Sequence, residues 1–289
     1  MASPPETGSA LGTDGVAADA RAPQIGARPR REVRAQRLRH ELDVLVALTE
    51  SDLRARYGRG PLRMVKWLLD PFAAVGVYLM LTTFVLDRPG VAPGLSIACA
   101  VVPFTLVMGS IVNALGAVNL RRSIILNMSF DRSIIPVSGV LTETIAFAAS
   151  LLLLAIMMVA YGIAPTLAVL WLPVVLLTVI LLAVSCAYFF ALLGLWFREL
   201  RLFFVSFVRT MFFLAPGLIA LSEIHGRANE LVRLNPLTGL FESFRDVLVY
   251  GQRPAAWQLL IPVGFSIVML LLFVPLYRYE QRDFAKVVE

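Results

Sequence analysis

The chain has 289 residues, 58% of them hydrophobic and only 16% charged, with a formal net charge of +6. That balance excludes an ordinary soluble domain and suits a helical membrane protein. The apolar runs are continuous rather than alternating in period two, which excludes a β-barrel. Cys99 and Cys186 both fall inside apolar runs, so no disulfide framework is expected.

Residues 1–27 are rich in Ala, Gly and Pro without apolar periodicity. A basic run follows at Arg28, Arg30, Arg31, Arg34, Arg37 and Arg39. Residues 1–40 are therefore expected to be a disordered basic tail held near anionic lipid, with no partner in nucleic acid. The Arg30-Arg31 pair is followed by charged residues rather than an apolar core, so no export signal is expected and the tail should remain attached.

From 41 to 60 the pattern predicts an amphipathic interfacial helix. Leu42, Leu45, Val46, Leu53 and Tyr57 recur at steps that place them on one side of a helix, with Asp43, Glu50 and Arg54 on another. Glu50→Arg54 and Asp52→Arg56 are each four apart in the favourable order. Such a helix is too charged to cross a bilayer but is built to lie in its surface. Gly58, Gly60 and Pro61 end it.

A first span is expected at Trp67–Leu86, about the 20 residues that a bilayer core requires. A turn with Asp87, Arg88, Pro89 and Gly90 leads to a second uncharged run, Val91–Leu120. A polar interval with Arg121, Arg122, Asp131 and Arg132 reaches to Pro136. No charge occurs from Thr144 to Phe197, room for spans three and four, with Tyr161–Pro165 as the turn between them. A fifth span is expected at Leu202–Ser222 and a sixth at Trp257–Tyr277. Between these two, Glu223–Arg253 carries Leu231, Leu234, Leu237, Leu240, Phe241 and Phe244. Its apolar content predicts two short re-entrant helices at the outer face rather than a surface hairpin.

The fold class is thus all-α and integral to the membrane, with six transmembrane helices. Residues 61–278 form the six-span domain and 279–289 a C-terminal tail. Twelve Lys and Arg precede the first span, three lie between spans two and three, and three follow span six. Arg198, Arg201 and Arg209 flank the fourth-to-fifth connection. Only Arg88, Arg227, Arg233, Arg245 and Arg253 fall on the other side. Both termini are therefore expected in the cytoplasm.

Little here points to catalysis. The phosphate-cradling pattern GxxxxGK[ST] does not occur, so the chain cannot by itself be a P-loop ATPase. His40 and His225 are too far apart to suggest a metal pair, and no nucleophile–base arrangement or carboxylate pair marks a span. Asp70, Glu143 and Arg209 are the ionisable residues within or at the ends of spans. They suit either a transport pathway or mutual pairing near the cytoplasmic boundary, and pairing is the better fit to their position. Tyr188, Phe189, Phe190, Trp196, Phe203, Phe204, Phe207, Phe212 and Phe213 crowd spans four and five. Most are expected to pack or face lipid, with a minority available to stack on sugars.

Four motifs in order carry a family resemblance over about 44–288. Asp52-Leu53-Arg54-Ala55-Arg56-Tyr57 with Leu62, Trp67 and Pro71 resembles the opening of type-two ABC exporter permeases. Phe130-Asp131-Arg132-Ser133-Ile134-Ile135-Pro136 is similar to the family's Phe-Pro-Arg-x-x-x-Pro before span three. Phe197-Arg198-Glu199-Leu200 resembles its Phe-Arg-Asp after span four. Asn235-Pro236-Leu237-Thr238 with Phe244-Arg245 resembles its external Asn-Pro-Leu-Thr and Phe-Arg. Ser51, Asp131 and Glu199 depart from a usual basic residue, Pro and Asp, and Asp131 leaves the shape of its turn open. Within the family the pattern looks like the polysaccharide and polyol-phosphate export branch, most of all the exporters of lipid-linked galactan in actinobacterial cell walls.

The resemblance implies a homodimer in the inner membrane with two copies of a separate ABC ATPase. ATP and Mg would belong to that partner, with no cofactor in this chain. The cargo would be a glycan on a polyprenyl pyrophosphate carrier, for which a drug or lipid is the rival within transport. A membrane-embedded glycosyltransferase or phosphatase is the rival from another class. Residues 121–136 would couple to the ATPase, with Ser123, Ile124, Leu126, Asn127, Phe130, Asp131 and Arg132 as contacts. Tyr188, Phe204, Phe207 and Phe212 would be candidates for the glycan path, and Asn235, Pro236, Phe244 and Arg245 for an external gate. Arg54, Arg56 and Tyr57 would meet the carrier's headgroup, since an Arg fork can hold phosphate oxygens bidentately. Binding of anionic lipid, or pairing with Glu50 and Asp52, is the plainer alternative for the two arginines.

Overall fold

A computed structural model describes residues 30–58, 69, 72–73, 75–77, 80, 92–121, 131–217, 221 and 226–281, and among them every regular element is helical. The chain divides into two units, Met1–Arg39 and His40–Glu289. Of the first, the described part is the opening of α1 (Arg30–Tyr57). The second holds the rest of α1 and α2 (Pro93–Leu120), α3 (Ile134–Ala160), α4 (Leu172–Trp196), α5 (Arg201–Leu214), α6 (Arg227–Arg233), α7 (Pro236–Leu248) and α8 (Ala256–Glu280).

Among the described residues four stretches are long and apolar enough to cross a bilayer: Pro93–Ala117, Ile134–Ala160, Leu167–Trp196 and Ala256–Glu280. At 1.5 Å per residue even the shortest reaches about 37 Å, beyond the roughly 30 Å of a hydrocarbon core. The chain is an all-α, multi-pass membrane protein. Burial follows from having lipid as solvent. The most hydrophobic stretch of α2 is 67% buried and packs on α3, α4 and α7, whereas that of α8 is only 11% buried. Leu260, Phe265, Val268, Leu271 and Leu272 of α8 stand exposed. An apolar side chain facing outward at that depth has hydrocarbon for a neighbour and needs no protein cover.

Small residues set how closely these helices approach. A Cβ on Gly194 of α4 would overlap the Leu115 carbonyl of α2, so the two backbones meet where a side chain cannot fit. Gly194→Leu should cost at least the ~1–3 kcal/mol of ordinary overpacking, because the obstacle is backbone. Gly264→Leu, where nothing lies within 4 Å, is the control. Thermal unfolding in detergent should fall clearly for the first variant and stay near wild type for the second.

The turn expected at Tyr161–Pro165 is present. α3 stops at Ala160, Gly162 takes a positive φ of 67°, and the Ile163 amide donates to the Met158 carbonyl at 2.9 Å. Thr166 Oγ1 then donates to the Gly251 carbonyl at 3.2 Å, tying this turn to the connection before α8. The two short helices expected within Glu223–Arg253 are α6 and α7. α7 begins where the Asn-Pro pair says it should: Asn235 Oδ1 accepts from the Leu237 amide at 3.0 Å and Pro236 fills the first helical position.

Three expectations need correction or fall elsewhere. The third helix starts at Ile134, so Pro136 lies in its first turn and Glu143 lies within it, about 13 Å from its start. In the expected fifth span, α5 ends at Leu214 after 14 residues. Pro216 has no amide to extend it, and a residue before Pro is pushed out of the helical region, as Ala215 is at ψ 47°. The expected first span, Trp67–Leu86, lies almost wholly outside the described residues.

Candidate functional site

At the end of α1 a charged residue reaches into the bundle. Val44, Leu48, Thr49 and Leu53 are buried, while Leu42 and Val46 are 58% and 60% exposed. The buried face is thus turned about a quarter of a circumference from the apolar side anticipated, taking 100° per residue. That rotation turns Asp52 inward, where its carboxylate pairs with Arg121 at the end of α2. Arg121, 8% exposed, also donates to the Ile135 carbonyl at 2.9 Å, so one guanidinium joins α1, α2 and the first turn of α3.

Behind this bridge lies a cavity of about 490 Å³. Asp52, Arg121, Asn113, Thr142 and Glu143 give it polar walls, and Gly109 with alanines gives it width. Asn113 Nδ2 donates to Glu143 Oε1 at 2.8 Å, linking α2 to α3 through a carboxylate that is 5% exposed. The glycine makes room for this placement: a Cβ at position 109 would overlap the Glu143 carboxylate and push that side chain aside. A buried acid at bilayer depth is costly, and here it has a neutral amide donor and a polar cavity beside it.

A second cluster gathers at residues 131–133, which close the expected coupling segment. Asp131 Oδ1 accepts from the Ser133 amide at 3.0 Å, so Asp supplies by hydrogen bonding a turn that Pro would fix by its ring. Arg132 Nη1 donates to the Gln281 carbonyl at 2.5 Å, and the Tyr277 hydroxyl donates to the Arg132 carbonyl at 3.5 Å. The Tyr188 hydroxyl donates to the Ser133 carbonyl at 2.9 Å, with its ring edge-on to Tyr277 at 5.6 Å. The ends of α4 and α8 are thereby fastened to this one turn.

At the opposite end, Arg245 of α7 is fully buried and pairs with Glu242 at 2.6 Å. It also donates to the carbonyls of Ser96 (3.2 Å), Pro216 (3.2 Å) and Gly217 (3.0 Å). Glu242 Oε1 accepts in turn from the Leu221 amide at 2.9 Å. Pro216 and Gly217 follow the end of α5, where carbonyls lack helical partners, and the arginine supplies donors to both. Phe244 is buried edge-on to Phe147 at 6.5 Å. Asp246, beside them, accepts from Gln258 at 2.7 Å; burial pushes its carboxyl above the ordinary range, against that hydrogen bond.

Comparison with known proteins finds relatives over most of the chain. No family model matches the chain. It is 26% identical over 245 residues to the O-antigen export system permease protein RfbA of Myxococcus xanthus, covering 84% of this chain and 94% of that one. A permease of the same description from Klebsiella pneumoniae is 26% identical over 244 residues, 83% of this chain and 94% of the relative. A second from Klebsiella pneumoniae is 25% identical over 210 residues, covering 72% and 81%. Over most of its length the chain is similar to these export permeases. Each of the three relatives is described as the permease protein of an export system, which is a transport role.

Several residues singled out from the sequence find definite places. Arg54 pairs with Glu50, as the spacing suggested, and is about half exposed. Arg56 and Tyr57 lie in the last turn of α1, their side chains outside the described residues, as are Ser123, Ile124, Leu126, Asn127 and Phe130. Tyr188 and Phe212 are buried, Phe212 against Phe104 at 4.9 Å and Phe241 at 5.8 Å. Phe204 lies against Phe190 at 6.4 Å, and exposed Phe207 stacks on Phe203 at 6.4 Å. Arg209 is exposed on α5, and Asp70 lies outside the described residues. Sequence reasoning passed over Gly109, Asn113 and the cross-chain role of Asp52. The signal it could have used was a glycine, an amide and an acid at bilayer depth in adjacent spans.

Proposed function

We propose that the chain is the membrane-spanning subunit of an ATP-driven exporter that moves a lipid-linked polysaccharide across the inner membrane. The observation that carries this reading is the similarity of most of this chain to relatives described as O-antigen export permeases, two of them matched over 94% of their length. Among glycans, cell-wall galactan is the cargo that the motif pattern favours. Two copies of the chain act with two copies of a separate ATPase, which binds the ATP and Mg, and both termini face the cytoplasm. The 1–40 tail and the α1 helix then lie on the side where the lipid carrier is loaded.

In this reading residues 121–136 receive the ATPase. The turn at 131–133 supports that role, because it holds the ends of α4 and α8 and lies two residues before the Ile135 carbonyl held by Arg121. Arg54, Arg56 and Tyr57 meet the pyrophosphate of the carrier at the inner interface, and Asn235, Pro236, Phe244 and Arg245 frame the external exit. The purified chain alone should hydrolyse no ATP. Hydrolysis should appear with a co-expressed partner ATPase, together with glycan at the cell surface. A surface free of glycan, with a drug or bare lipid exported instead, would move the assignment to the other branch of the family.

A further inference from the structure

We infer that the cavity between α1, α2 and α3 is a binding subsite for neutral, polyhydroxylated sugar residues. The inference rests on the export reading for the identity of the ligand, but its argument is the chemistry of the walls. At about 490 Å³ the space falls within the ~300–1,000 Å³ of small-molecule sites. Among the described lining residues the one base, Arg121, is already engaged by Asp52 and by the Ile135 carbonyl, so a phosphate would compete with partners in place. A lipid tail would leave carboxylates and an amide facing hydrocarbon, which is costly. Sugar hydroxyls fit, since each both donates and accepts. Carboxylate oxygens and the Thr142 hydroxyl oxygen, whose own proton goes to the Ser138 carbonyl at 2.9 Å, accept from them, while remaining N–H groups of Asn113 and Arg121 donate. Gly109 supports the assignment, because its missing side chain lets Glu143 lie against α2 and still border the cavity.

Position supports it as well. Asp52 and Ala55 line the cavity from α1, next to the residues assigned to the carrier headgroup, while Gly109 and Glu143 lie deeper along α2 and α3. A sugar attached to a headgroup at the inner interface would be within reach of this space.

The test uses the full-length chain in lipid nanodiscs with Ala55→Cys on the cavity wall, and the chain without that substitution as background for Cys99 and Cys186. The rate of labelling by a polar maleimide is measured with four probes. These are lactose, a prenyl-diphosphate-linked disaccharide, the same prenyl diphosphate without sugar, and phosphatidylinositol in the bilayer. The two disaccharides should slow labelling about tenfold near saturation and bare prenyl diphosphate should not. Glu143→Gln, which keeps the shape and the bond from Asn113, and Gly109→Ala should each weaken lactose protection about tenfold or more. Equal protection by bare prenyl diphosphate, protection by phosphatidylinositol but not lactose, no protection at all, or wild-type protection in both variants would each overturn the sugar subsite. Surface glycan is scored in parallel in cells that carry the chain with its ATPase. Glycan export without protection overturns the cavity inference alone. Protection by lactose without glycan export overturns the export reading and leaves the sugar site standing.

Discussion

Arg245→Ala is expected to be the most damaging single change in this protein, costing about 3–5 kcal/mol and leaving little folded material in the membrane. The arginine is fully buried, so its removal strands the Glu242 carboxylate without its cation at 2.6 Å. It also takes a donor from the carbonyls of Ser96, Pro216 and Gly217, the last two of which follow the end of α5 and lack helical partners. Arg245→Lys keeps the charge but has no planar fork to serve several acceptors at once, so it should fall between alanine and wild type. The decisive variant is the double substitution Glu242→Gln with Arg245→Met, which removes both charges together. It should unfold at a higher temperature than Arg245→Ala, since replacing a buried pair costs less than breaking one. If the double variant is no more stable than Arg245→Ala, the lost carbonyl bonds rather than the stranded carboxylate account for the damage.

Much of this fold was legible because lipid imposes a simple rule: an uncharged run of sufficient length must be a helix. Val91–Leu120, the turn at Tyr161–Pro165 and the last span all follow from it, and Asn235-Pro236 marks its helix start by capping chemistry alone. The rule fails where chain direction depends on one residue or one partner. Pro216 ends α5 inside an apolar run that hydropathy reads through. Glu143 looks like a boundary because it is charged, yet it lies within α3, where Asn113 thirty residues earlier supplies a donor. The candidate site was harder still. α1 shows two apolar stripes, one with Leu42 and Val46 and one with Val44 and Leu48, and periodicity cannot choose between them. What chooses is Arg121, 69 positions away from Asp52.

That pairing leads to the second large effect. Arg121→Ala should cost about 3 kcal/mol, roughly the sum of two charge-assisted hydrogen bonds at ~1.5 kcal/mol or more each. Asp52→Asn should cost only about 1 kcal/mol, because Asp52 is a third exposed and Arg121 retains the Ile135 carbonyl. The asymmetry is the informative quantity, since a simple ion pair would lose about equally from either side. A charge swap, Asp52→Arg with Arg121→Asp, restores the pair but places a carboxylate against the Ile135 carbonyl, so rescue should be partial. Stimulation of the partner ATPase should follow the same order, wild type above Asp52→Asn, then the swap, then Arg121→Ala. In these variants α1 is still made, but its tie to the start of α3, beside the 131–133 turn, is weakened in steps. Equal losses from Asp52→Asn and Arg121→Ala in both unfolding temperature and stimulated hydrolysis would reduce the bridge to its charges. Unchanged stimulation in Arg121→Ala would remove α1 from the coupling altogether.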